Sequence, residues 1–149
     1  MAIYVDADAC PVKDEVLRVA ERHGWQVFMV SNSFMRLPAH PLINRVVVED
    51  GPDVADNWIA ERAAKGDVVI TSDIPLAHRC FKAGASIIRS DGKVLDDGAI
   101  GMALAMRNLM QDLREANQMQ TYNAGFTKAD RSNFLQALET AIQAIKRAG

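Results

Sequence analysis

Residues 3–24 read IYVDADACPVKDEVLRVAERHG, and the fold turns on how that stretch divides. Ile3, Tyr4 and Val5 favour a strand, which then runs into two aspartates one residue apart, Asp6 and Asp8. From Pro11 onward the apolar period changes. Val12, Val16, Leu17 and Ala20 share one helical face, Pro11 suits a first turn, and Gly24 suits a C-terminal cap. A strand feeding a helix opens a βαβ unit. The aspartate pair sits at its joint, where an unpaired buried carboxylate is costly.

The alternation continues. QVFMVSN (26–32) and NRVVVED (44–50) read as strands on either side of SFMRLPAHPL (33–42), a loop with two prolines. GPDVADNWIAERAAKG (51–66) opens with a turn and continues as a helix burying Val54, Trp58, Ile59 and Ala63. DVVITSD (67–73) is a short, continuous apolar run of the kind found in central parallel strands. IPLAHRCFKAG (74–84) is a helix with a glycine stop, and ASIIRSDG (85–92) a closing strand. Strands alternating with single helices predict an α/β fold of three layers, α/β/α, with a mainly parallel sheet. After about residue 95 the pattern turns helical. IGMALAMRNLMQDLREANQM (100–119) reads as a long amphipathic helix, QTYNAGFTKADRSN (120–133) as a polar linker, and FLQALETAIQAIKRAG (134–149) as a second helix. One domain over 1–149 is expected, with a sheet core at 1–95 and a C-terminal helical extension at 96–149.

The composition, 49% hydrophobic and 24% charged, is that of an ordinary globular chain and not of a disordered one. No apolar run is long enough for a membrane span, and the acidic start lacks the basic segment of a signal peptide, so cytoplasmic residence is expected. Cys10 and Cys80 stand far apart with no CxxC partner and read as reduced thiols. A net charge of −2 gives no global attraction to nucleic acid. There is no GxGxxG or GxxxxGK[ST] after the first strand and no Gly-x-Ser-x-Gly elbow, which sets aside nucleotide-binding and serine-hydrolase readings.

The chemistry sits in the aspartates. Ligands of open parallel sheets bind beyond the carboxyl ends of the strands, where strand order reverses. Asp6 and Asp8 end the first strand, Asp73 follows a central one and Asp91 the last, while Asp53 and Asp56 open the helix after VVVED. Six carboxylates are thus expected at one edge. Several have a second reading: Asp53 and Asp73 as helix caps, Asp56 as a helix-dipole residue, and Asp91-Gly92 as turn chemistry. Crowded carboxylates raise one another's pKa unless a cation neutralises them, and a hard divalent ion, Mg²⁺ or Mn²⁺, takes oxygen ligands. His23, His40 and His78 lie in unrelated segments, which argues against zinc and for solvated surface histidines.

DADACPVK (6–13), GPDVADNWI (51–59), TSDIPLA (71–77) and GFTKADRSNF (125–134), in that order, resemble the YaiI/YqxD-type family of uncharacterised bacterial proteins. The first 95 residues or so are similar in turn to the PIN-like superfamily and its NYN branch of metal-dependent ribonucleases. That resemblance implies Mg²⁺ or Mn²⁺ on Asp6, Asp53 or Asp56, Asp73 and Asp91, with Asp8 at a second polar position of the first motif. The expected function is a metal-dependent phosphodiesterase acting on single-stranded RNA, with Asp6, Asp73 and Asp56 catalytic. Lys13, Asn57, Ser72 and Arg131 are the expected substrate contacts, Lys13 and Arg131 having second readings as a solvated lysine and a structural ion pair. Two alternatives stand beside it: a non-catalytic module binding RNA or protein, and a small-phosphoester phosphatase suggested by the DxD start. Oligomeric state is left open.

Overall fold

The computed structural model describes residues 1–7, 10–32, 37, 40–51, 53–96, 98–102, 105 and 127–148. Asp8 lies outside the described residues, as does most of the helix expected over 100–119, of which 100–102 and 105 are helical.

The elements are β1 (Ala2–Asp6), α1 (Lys13–His23), β2 (Gln26–Ser31), β3 (Ile43–Val47), α2 (Val54–Arg62) and β4 (Val68–Ile70). They continue as α3 (Ile74–Lys82), β5 (Ser86–Ile88), β6 (Val94–Leu95) and α4 (Lys128–Ala148). The sheet runs β3-β2-β1-β4-β5-β6, parallel except for β6. The antiparallel β6 was not expected from the sequence, since two residues carry no readable period; it returns from β5 through a turn in which Gly92 N–H donates to Arg89 O. α1 starts at Lys13, two residues after Pro11, and stops at Gly24, whose left-handed φ of 70° caps it.

Strand alternation sorts the two faces. Ile3 and Val5 of β1, Val27 and Met29 of β2, and Val68 and Ile70 of β4 pack with α1 and α4. Ala2, Tyr4, Val30 and Val69 pack with α2 and α3. The molecule is therefore a three-layer α/β/α sandwich. Helix α4 belongs to the first layer: Phe134, Leu138 and Ile142, spaced by four, are fully buried against the α1 face. Three such side chains contribute about 1.5–3 kcal/mol each.

Helix α4 begins six residues before the expected start at Phe134, inside the stretch read as linker. Thr127 and Asp130 cause this. Thr127 N–H donates to Asp130 Oδ2 at 3.0 Å and Asp130 N–H to Thr127 Oγ1 at 3.1 Å, a reciprocal cap closing the first turn. The helix is then tied to α1. Arg131 Nη1 donates to Pro11 O and Glu15 Oε1, both at 3.0 Å, while Glu139 meets Arg22 and His23. The histidines are correspondingly less solvated than expected: His23 bridges Glu139 and Lys146, and His40 meets Glu21 at 2.9 Å.

The β5–β6 turn touches α4 closely. A Cβ at Gly92, where φ is +91°, would stand 2.6 Å from Asn133 C and 2.8 Å from Phe134 N. Gly92→Ala is expected to cost about 1–3 kcal/mol through overpacking and backbone strain, read as a lower urea midpoint. Gly101→Ala, whose Cβ would meet nothing within 4 Å, should leave the midpoint unchanged or higher. Equal midpoints for the two variants would show that this contact does not seat the helix.

Candidate functional site

Strand order reverses between β1 and β4: the chain winds outward from β1 through β2 to β3, then crosses back to β4. The crevice beyond the carboxyl ends of these strands is where such sheets bind ligands. Asp6 is the last residue of β1, on the side already set by Ala2 and Tyr4, and Thr71 follows β4 on the side of Val69. Both therefore look toward α2 and α3.

The two strand ends are joined. Thr71, 2% exposed, donates through Oγ1 to Asp6 Oδ2 at 3.1 Å and accepts from Asp73 N–H at 3.0 Å. Asp73 caps α3, its Oδ1 accepting from Leu76 N–H at 3.1 Å. Its cap reading and its position at the crevice therefore hold together. Across from these, the first turn of α2 carries Asp56. Its pKa is pushed up to about 6 by burial first, then by the charges of Asp73 and Asp6, a hydrogen bond with Asp73, and the charge of Asp53. Asp6, Asp53 and Asp73 thus all act on Asp56. The hydrogen bond with Asp73 favours the protonated form of Asp56, since two ionised carboxylates have no proton to share.

The cap expected of Asp53 is only half present. It occupies the N-cap position of α2 with a left-handed φ of 69°, but its side chain makes no capping bond. Its carbonyl accepts from Asn57 N–H at 2.8 Å, so the backbone alone starts the helix. An aspartate at positive φ is uncommon, and such residues gather at functional sites.

The remaining expected residues divide. Ser72 is exposed between β4 and α3, beside Asp73. Asn57 Oδ1 accepts from Arg79 Nη1 at 2.7 Å, joining α2 to α3. Lys13 Nζ donates to Cys10 O at 2.9 Å and is half-buried. Arg131 makes the ion pair with Glu15 described above. Asp91 is not among the groups acting on Asp56; its Oδ1 accepts from Lys93 N–H at 3.1 Å, which is turn chemistry, and it borders a groove of about 450 Å³ with Lys93, Asp130 and Asn133. Cys10 is buried, and that burial pushes its thiol up, opposed by the Val12 N–H, Lys13 and Ser90 and reinforced by Asp6. Cys80 is pushed up to about 11 by burial, Arg79 lowering it and Asp56 raising it.

Two residues escaped the sequence reading. Thr71 had a signal: it continues the alternation of Val69 at the end of a central strand, where a hydroxyl needs a partner. Arg79 had none, because Asn57, which holds it, lies 22 positions away on another helix.

Oxygen donors that repel one another suit a hard cation. Among the described residues no three His, Cys, Asp or Glu side chains stand in a group that could hold a metal. Mg²⁺, however, is commonly bound through one or two carboxylates and several waters. Asp6 and Asp73, each of which acts on Asp56, are the described carboxylates that a site of that smaller kind would draw on.

The sequence profile described as an uncharacterised bacterial YaiI/YqxD family matches residues 4–144. The chain belongs to the YaiI/YqxD family. It is 59% identical over 145 residues to a UPF0178 protein of Parvibaculum lavamentivorans, covering 97% of this chain and 95% of that one. A UPF0178 protein of Rhodopseudomonas palustris strain HaA2 is 57% identical over 145 residues, 97% of this chain and 88% of its own. One from Gluconacetobacter diazotrophicus is 57% identical over 140 residues, covering 94% and 91%. No solved structure matches this YaiI/YqxD chain. Among its described residues no helix is long and apolar enough to cross a membrane.

The raised Asp56 has a consequence for stability. Its folded value of about 6 lies above the ordinary 3.8, so its contribution is fully present below about pH 4 and lost as pH rises through 6. In metal-free buffer the melting temperature should therefore fall between pH 4 and 6.5 through this group. Asp56→Asn should remove that fall and raise stability at pH 7.5 by about 1 kcal/mol after allowance for solvent screening, or about 2–4 °C. Parallel pH profiles for the two proteins would contradict the coupling.

Proposed function

We propose that this protein is a Mg²⁺- or Mn²⁺-dependent phosphodiesterase. The observation that carries the reading is the gathering of Asp6, Asp53 and Asp73 about a partly buried Asp56 at the strand-order reversal, where burial first and then these three carboxylates push Asp56 up to about 6. Repulsion between gathered carboxylates is a cost that a divalent cation would relieve. Asp6 and Asp73 would hold the ion, Asp56 would bind it or one of its waters, and Asp8, two residues beyond Asp6, would support Asp6.

A bound ion of this type supplies an activated water and neutralises charge developing on phosphoryl oxygens. The chain's own groups do the rest. Thr71 holds Asp6 in one orientation and, by accepting from Asp73 N–H, sets the distance between the two strand ends. Asp56, with its raised pKa of about 6, would be the carboxylate suited to take a proton from an attacking water near neutral pH. Asp53 adds negative charge from the rim, Ser72 offers an exposed hydroxyl, and Lys13 lies behind Asp6 at the start of α1.

The resemblance of motifs in the first 95 residues to the PIN-like superfamily, read from the sequence alone, makes single-stranded RNA the first substrate to try. Two free, buried cysteines agree with a reducing, cytoplasmic setting. Calorimetric Mn²⁺ titration beside cleavage of a labelled single-stranded RNA tests the reading. Wild type should bind Mn²⁺ and cleave, and Asp6→Asn and Asp73→Asn should each lower Mn²⁺ affinity at least about tenfold, a loss of about 1.4 kcal/mol. Unchanged affinity in both variants would remove the metal site. Tight binding without turnover would favour the non-catalytic module.

A further inference from the structure

We propose that Arg79 is the phosphate-binding residue of this site and that Asn57 is its positioning residue. The proposal rests on the phosphodiesterase reading for its substrate class and on separate geometry for the residue. A crevice that gathers carboxylates repels a polyanionic strand, and a metal ion neutralises only the charge it touches. A fixed cation beside the acidic groups is needed to hold the phosphate.

Arg79 meets that need. Helix α3 begins at Asp73 and carries Arg79 in its last turn; α2 carries Asp56 and Asn57 side by side in its first. Arg79 Nη1 donates to Asn57 Oδ1 at 2.7 Å, so the guanidinium is held across the seam between the helices that bear Asp56 and Asp73. The Cys80 thiol feels Arg79 and Asp56 together, which puts both charges in one neighbourhood. Among the described residues no carboxylate forms an ion pair with Arg79. Its partner is a neutral amide.

That choice of partner matters. A carboxylate in place of Asn57 would consume the charge, whereas an amide oxygen orients the guanidinium and leaves its charge for an anion. The side chain is exposed, and the guanidinium has further N–H donors in a planar fork that matches two phosphate oxygens. Arg62, one helix away, contrasts with it: its guanidinium lies 4.0 Å over the Trp58 ring and donates to Trp58 O, a packing role.

The test is fluorescence anisotropy of a labelled single-stranded oligoribonucleotide with Mn²⁺ across a salt series, alongside Mn²⁺ titration and melting of each variant. Arg79→Ala should weaken oligonucleotide binding at least about fivefold and make the slope of log K against log salt shallower by about 0.7, one phosphate contact on a single strand. Mn²⁺ affinity and melting temperature should stay at wild-type values. Arg79→Lys should restore the slope but only part of the affinity. Asn57→Ala should weaken binding with the slope intact, because the charge is kept and only its placement is lost. Wild-type affinity and slope in Arg79→Ala would overturn the proposal, as would loss of Mn²⁺ binding or of the fold in that variant. The two readings fail separately. Oligonucleotide binding that depends on Arg79 without cleavage refutes the catalytic reading and supports this one. Cleavage by wild type with Arg79→Ala binding like wild type does the reverse.

Discussion

The hydroxyl of Thr71 joins the ends of two neighbouring strands, and the acidic site depends on that junction. It donates to Asp6 and accepts from Asp73 N–H, so one buried group fixes the orientation of one carboxylate and the starting point of the helix that carries another. The junction exists because the sheet reverses its order there, placing β1 beside β4 although more than sixty residues separate them. With β1 and β4 in register, Asp6 and Thr71 both emerge on the α2/α3 side. Helix α2, crossing from β3 back to β4, then brings Asp56 over the same crevice. Each carboxylate alone would be an ordinary cap or turn residue. Together they repel, and that repulsion adds to burial in pushing Asp56 up to about 6.

The opposite layer supports the crevice from behind. The segment between Asp6 and α1 is held by Arg131 of α4, whose guanidinium meets Pro11 O and Glu15, while Phe134, Leu138 and Ile142 fill the face beneath. Gly92 lets the β5–β6 turn approach α4 as closely as it does. An element near the end of the chain therefore helps fix a loop near its beginning.

The layer order and most strands were legible because their signals are local. Ile3-Tyr4-Val5 and Val68-Val69-Ile70 are short apolar runs, and Gly24 ends a helix where a left-handed cap is needed. The start of α4 was misread although its signal is also local, since Thr127 and Asp130 stand at capping-box spacing with Asp replacing the usual Glu. For the site, strand-end position was enough to bring Asp6, Asp56 and Asp73 to attention, because a parallel sheet sends all its carboxyl ends to one edge. It was not enough for Asp91. Distance across the sheet is set by strand order, and nothing in the sequence says that β4 inserts beside β1. The pairing of Asn57 with Arg79 was invisible for the same reason.

The central claim is that burial and neighbouring carboxylates together raise the Asp56 pKa to about 6 and that a divalent cation would lower it. Carbon-13 NMR titration of the aspartate carboxyl carbons, with Asp56→Asn to assign the signal, measures this directly. Without metal the Asp56 signal should titrate near pH 6. With saturating Mg²⁺ its midpoint should fall by more than about one pH unit, toward the ordinary carboxylate range. A midpoint near 4 in metal-free buffer, or one near 6 that Mg²⁺ does not move, would contradict the account.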